Sequence, residues 1–127
     1  MGLSFDDKIP IYLQIINHIK KEMITGKLKG GDRMPSVREM AEKTRVNPNT
    51  IQRVYQELER EGVTYTQRGT GSFVTEDTAV IQKMKLEMSQ EIIKTYVEGM
   101  KSLGMEAGDI LSLLKGYLEG EQDGNNS

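Results

Sequence analysis

A chain of 127 residues with a formal net charge of −2, 36% hydrophobic and 28% charged, has room for one small domain with a helical appendage and excludes a large multi-domain enzyme. It has no cysteine and a single histidine, His18, which removes disulfides, thiolate nucleophiles and cysteine-based metal sites and makes His18 a structural residue rather than a ligand. No apolar run approaches the roughly 18 to 20 residues of a membrane span, no basic-then-apolar leader opens the chain, and Asp6 replaces the Ser or Thr of a myristoylation signal, so a cytoplasmic chain is expected. Up to Thr78 there are 12 Lys+Arg against 11 Asp+Glu, and from Ala79 onward 5 against 8; all six arginines lie between Arg33 and Arg68. The first part is the one equipped to meet an anion.

Pro10, followed by Ile11, Tyr12, Ile15, Ile16, Ile19 and Met23 at helical spacing and closed by Gly26, predicts a first helix over about 10–25. Gly26 to Pro35, with three glycines and Lys27, Lys29 and Arg33, reads as a loop. Ser36-Val37-Arg38-Glu39 fits a capping box and predicts a short helix to about Lys43. Asn47 as cap and Pro48 at the first helical position open a third helix, with Ile51, Val54, Tyr55 and Leu58 on its apolar face and Gly62 at its end. Two helices joined by so short a break form a helix-turn-helix candidate. Beyond them, Val63–Thr66 and Ser72–Thr75 read as strands of a hairpin around Gln67-Arg68-Gly69-Thr70-Gly71. A long helix is expected from about Glu76 to Leu103 and a last one over 107–119, leaving 120–127 as a polar, disordered tail.

The third helix carries the sharpest chemistry. At 100° per residue, Asn49, Gln52, Arg53 and Gln56 fall opposite the apolar face, amides and a guanidinium with no acid among the four. Such groups pair bidentately with adenine and guanine edges in the major groove. A solvated face explains any one of them; the capped helix before and the basic hairpin after favour nucleic acid. Arg38, beside a helix start, is a surface residue or a phosphate contact, and Arg68 with Gly69 makes a plain turn or a tip that follows the backbone or enters a minor groove. In the C-terminal region Ile81, Met84, Met88, Ile92 and Tyr96 form a stripe, and Leu114 and Tyr117 share a face of the last helix. Two helices cannot bury faces that wide on each other alone, so a second copy of the chain is the expected partner.

Several runs resemble the GntR family of bacterial transcription regulators: Pro10-Ile11-Tyr12-Leu13-Gln14-Ile15, Gly31-Asp32-Arg33-Met34-Pro35-Ser36-Val37-Arg38-Glu39-Met40-Ala41, Val46-Asn47-Pro48-Asn49-Thr50, Leu58-Glu59-Arg60-Glu61-Gly62 and Arg68-Gly69-Thr70-Gly71-Ser72-Phe73-Val74. The likeness spans roughly residues 8–75, and the short remainder resembles the YtrA subfamily, whose members dimerise through it. The resemblance implies that Arg38, Asn47, Asn49, Thr50, Gln52 and Gly69 touch DNA; Arg53 and Arg68 are added from the helical face and the hairpin tip. Arg45 stands where many relatives have glycine, Thr64 where an apolar strand residue is usual, and Pro48 where some branches carry an arginine.

The expectation is therefore a mostly α chain: a winged helix-turn-helix DNA-binding domain over 1–75 with a small β-hairpin wing, a two-helix dimerisation region over 76–119, and the tail. Its function would be that of a homodimeric regulator, most simply a repressor, on inverted-repeat double-stranded DNA, with no catalytic residues, metal or cofactor and with no effector named by the sequence. The rival is a winged-helix module that binds protein alone. No nucleophile–base constellation points to an enzyme.

Overall fold

In the computed structural model, which describes residues 4–125, the elements run α1 (Ile11–Thr25), α2 (Val37–Thr44), α3 (Pro48–Arg60), β1 (Thr64–Gln67), β2 (Gly71–Val74), α4 (Thr78–Ser102) and α5 (Ala107–Asn125). They divide into a first unit ending at Leu86 and a second beginning at Glu87, with α4 running through the boundary.

The first unit forms around apolar positions at helical spacing. Ile15, Ile19, Ile51, Val54 and Leu58 are fully buried with Val74 of the hairpin, and Ile16, Met23, Met34, Met40, Ala41, Val63 and Met84 are buried as well. Gly26 ends α1 at φ 83°, a conformation that carries no Cβ penalty in glycine. Ser36 caps α2: its Oγ accepts from the Glu39 N–H at 3.0 Å, while a Glu39 carboxylate oxygen accepts from the Ser36 N–H at 3.1 Å. His18 is structural, its Nε2 lying 2.7 Å from the Glu22 carboxylate one turn on.

The hairpin is one residue displaced from its expected limits. Its register is Thr64 with Val74, Tyr65 with Phe73, Thr66 with Ser72 and Gln67 with Gly71, and Val63, just before β1, carries the same register one pair further by accepting from the Thr75 N–H at 3.0 Å. Thr64, at a position usually apolar, is buried nonetheless. The segment expected as a plain loop also contributes. Residues 31–34 lie along β2, with Gly31 N–H donating to Val74 O, Val74 N–H to Asp32 O and Met34 N–H to Ser72 O, all at 2.8–2.9 Å. The sheet itself stays two-stranded, with Arg33 bridging Phe73, and hydrophobic spacing gives no sign of this pairing because Gly31, Asp32 and Arg33 supply most of its backbone.

In the second unit, α4 ends in a Schellman turn: Gly104, at φ 81°, donates to Lys101 O and Met105 N–H to Met100 O. The two helices do not pack along their lengths. Ile110 is buried, whereas Ile92, Ile93, Leu103, Leu111, Leu113, Tyr117 and Leu118 are all more than half exposed. The last helix continues to Asn125 instead of ending at 119. No proline intervenes, and Glu119 and Glu121 sustain a helix across Gly120. The tail expected from 120 is thus helical to 125, and 126–127 lie outside the described residues.

Candidate nucleic-acid interface

The short break between α2 and α3 aims the start of α3. Arg45 takes φ 56°, ψ 41°, the one non-glycine residue at positive φ among those described, in the turn position where glycine would be unstrained. Asn47 then caps α3, its side-chain oxygen accepting from the Asn49 N–H at 2.8 Å and leaving the amide NH₂ as a donor. Pro48 occupies the first helical position, and no acid stands in the first turn, so the positive end of the helix dipole is unopposed there.

With Ile51, Val54 and Leu58 turned into the core, Asn49, Gln52 and Gln56 are exposed on the outer face and Thr50 is half-buried at its edge. Arg38 projects from the first turn of α2 with its side chain 90% exposed, touched only by a 3.7 Å contact to Glu42. Arg68 and Gly69 form the tip of the wing, Gly69 at φ 79°, with the Thr70 N–H donating to Gln67 O at 2.9 Å to close the turn. Tyr65 and Phe73 stack across the strands with centroids 5.7 Å apart, stiffening the stem. Between α3, the start of α2 and the wing lies an open cleft of about 290 Å³, lined in part by Arg33, Ser36, Gln52, Gln56 and Ser72.

Two ties that sequence reasoning misses hold α3 in place. The Tyr55 hydroxyl donates to Pro35 O at 2.6 Å, and burial, then the nearby Glu39 carboxylate, pushes its pKa well above the ordinary tyrosine value. Arg53, assigned from the helical wheel to the DNA-facing surface, has its guanidinium carbon 3.8 Å from the centroid of the Tyr12 ring on α1. It is exposed yet engaged by a cation–π contact. A wheel places a residue on a face but does not show the neighbouring helix on its flank. Tyr12 and Tyr55, phenols on otherwise aliphatic faces, are the signal that was available.

The hydrogen bonds of Glu39 with the Ser36 N–H and hydroxyl hold its pKa below the usual carboxylate range. Arg60, hydrogen-bonded through Nε and a terminal nitrogen, lowers Glu57 to about 2. Neither carboxylate lies on the outer face of α3 beside Asn49 and Gln52. Among the described residues no three His, Asp or Glu side chains gather as a metal site, and no helix is long and apolar enough to cross a membrane.

Of the expected interface residues in the C-terminal region, Ile92 and Tyr117 are 65% and 69% exposed, Leu114 is exposed, and Ile81, Met88 and Tyr96 are half-buried. Met84 departs from the expectation. It is 5% exposed within the single chain and has little surface left for a partner.

A capped helix with an amide-rich outer face, a second helix crossing before it and a basic-tipped hairpin beside it define a winged helix-turn-helix DNA-binding domain. Residues 11–74 match the family described as bacterial regulatory proteins, gntR family. Over 120 residues the chain is 42% identical to the uncharacterized HTH-type transcriptional regulator YhcF of Bacillus subtilis, covering 94% of this chain and 99% of that one. It is 40% identical to the transcriptional repressor YtrA of the same organism over 76% of this chain and 75% of that protein. A solved GntR family transcriptional regulator from Listeria monocytogenes superposes with a TM-score of 0.81 at 41% identity, covering 87% of this chain and 97% of that one. The chain belongs to the GntR family of bacterial transcription regulators, among its YtrA-like members. It is a DNA-binding regulator and not an enzyme.

Proposed function

We propose that this chain is a homodimeric transcriptional repressor that binds an inverted-repeat operator. In this reading α3 lies in the major groove with Asn49, Thr50 and Gln52 on base edges or the adjacent backbone, while Asn47 and Arg38 contact phosphates. Arg68 and Gly69 follow the backbone or enter the neighbouring minor groove. The observation that carries it is the outer face of α3, where the exposed amides of Asn49, Gln52 and Gln56 lead and Glu59 stands only in the last turn, together with an almost fully exposed Arg38. Arg53 serves chiefly to seat α3 on α1, because its guanidinium is occupied by Tyr12. Repression is favoured by the relative named a repressor, YtrA.

The dimer rests on the apolar side chains of α4 and α5. Ile92, Leu114 and Tyr117, with Ile81, Met88 and Tyr96 at the margins, are the expected contacts, and a second copy is the occupant that would bury them. The test is selection of bound duplexes from a random-sequence library, followed by affinity measurements on the selected half-site arranged as inverted and direct repeats. The inverted repeat should bind more tightly, and Gln52→Ala should cost about 1–3 kcal/mol on it. Equal affinity for both arrangements, or a neutral Gln52→Ala, would overturn the reading.

A further inference from the structure

The six arginines of the first unit are not equivalent. Arg60 is paired with Glu57, Arg53 lies against Tyr12, and Arg45 sits in the turn. Arg38 and Arg68 project from the start of α2 and the wing tip. Arg33 remains. Its backbone bridges Phe73 at the edge of the wing, and its exposed side chain reaches into the cleft between α3 and the wing. It gets there because Gly71 has no side chain: a Cβ at Gly71 would stand 3.2 Å from the Arg33 Nε and 3.6 Å from a terminal nitrogen.

The cleft presents Gln52 and Gln56 of α3 on one wall and Thr66 and Ser72 of the wing on the other, with Ser36 at the start of α2. Two carboxylates are near, Glu59 on the wall and Glu39 engaged with Ser36, yet among the described residues Arg33 takes part in no ion pair. A guanidinium held by a backbone bridge, drawn electrostatically toward Glu39 yet paired with neither carboxylate and open to solvent, is suited to an oxygen-rich anion arriving from outside.

We propose that Arg33 binds a phosphate of the DNA strand that passes between the reading helix and the wing, a contact additional to Arg38 and Arg68. The inference rests on the docking of α3 in the major groove given above. DNA seated on Gln52 and on the Arg68–Gly69 tip at once must carry its backbone across this cleft, where Arg33 stands between them.

The experiment uses the full chain and a duplex selected on it from a random-sequence library, with affinity followed over roughly 50 to 200 mM salt. Arg33→Gln keeps a polar side chain and should lower the slope of log affinity on log salt by about 0.9 per copy, about 1.8 in a dimer. Arg33→Lys should restore the slope. An unchanged slope in Arg33→Gln, while Gln52→Ala still weakens binding, overturns this inference alone. Equal weakening by Arg33→Gln and Arg33→Lys with the slope intact also overturns it, because Arg33 would then only prop the wing. A neutral Gln52→Ala shows instead that the docking itself is wrong.

Discussion

Ile92→Asp separates the DNA-binding unit from the surface proposed to hold two copies together. Ile92 is 65% exposed in the single chain, so the substitution leaves the fold of one copy nearly untouched. Burying the exposed part of an isoleucine contributes about 1–2 kcal/mol, and two-fold symmetry counts the loss twice. Placing an unpaired carboxylate where the partner's apolar side chains would lie adds a desolvation cost, bringing the total above roughly 4 kcal/mol, or about a thousandfold in the dimer dissociation constant. Ile92→Ala, which deletes surface without adding charge, should show only the smaller loss. Sedimentation equilibrium reads the association, circular dichroism the retained helix, and titration of the selected duplex the consequence: each monomer keeps one reading helix and loses a partner spaced about 34 Å along the duplex, so affinity falls with no DNA-facing residue changed. An Ile92→Asp protein that stays dimeric, or a folded monomer of undiminished affinity, would refute the argument.

Arg45→Gly should stabilise the chain by about 1 kcal/mol, since the turn conformation strains a Cβ but not glycine, whereas Arg45→Ala should not; thermal unfolding of the two variants compares them. Tyr55→Phe leaves Pro35 O without its donor, and should cost about 1–2 kcal/mol of stability and weaken DNA binding with the salt slope unchanged, because α3 loses a tie and DNA loses no charge contact. Glu57, lowered from 4.5 to about 2 in the folded chain, contributes stability that is present above pH 4.5 and is lost as pH falls toward 2. Acid unfolding of Glu57→Gln should therefore be flatter in that window, by an amount that added salt reduces since Arg60 is exposed.

How far the sequence discloses this structure depends on the range of the interaction. Helix starts are legible because they are local: Ser36 with Glu39, and Asn47 with Pro48, specify their caps within four residues. The core is legible because Ile51, Val54 and Leu58 repeat with the helical period. The backbone pairing of residues 31–34 with β2 is not, since it joins segments about 40 residues apart and leaves no side-chain pattern. The amides of α3 were legible as an exposed face, but Arg53 could be turned to Tyr12 only once α1 and α3 were seen side by side. For the same reason Met84, a member of the stripe by spacing, proves to be buried already.

The backbone pairing of residues 31–34 with β2 limits how this chain can vary in length. Gly30, where a Cβ would lie 3.0 Å from Thr75 O, is followed by Gly31, Asp32 and Met34 bonded to β2, by Pro35 bonded to Tyr55, and by Ser36 capping α2. Seven successive residues are thereby held in register against three different elements. An inserted or deleted residue between Gly30 and Ser36 would shift the start of α2, and Arg38 with it, relative to the wing. The neighbouring bend at Gly26–Leu28 is held by fewer partners and is the place where added residues can loop out. Spacing, more than composition, is what this stretch has to preserve.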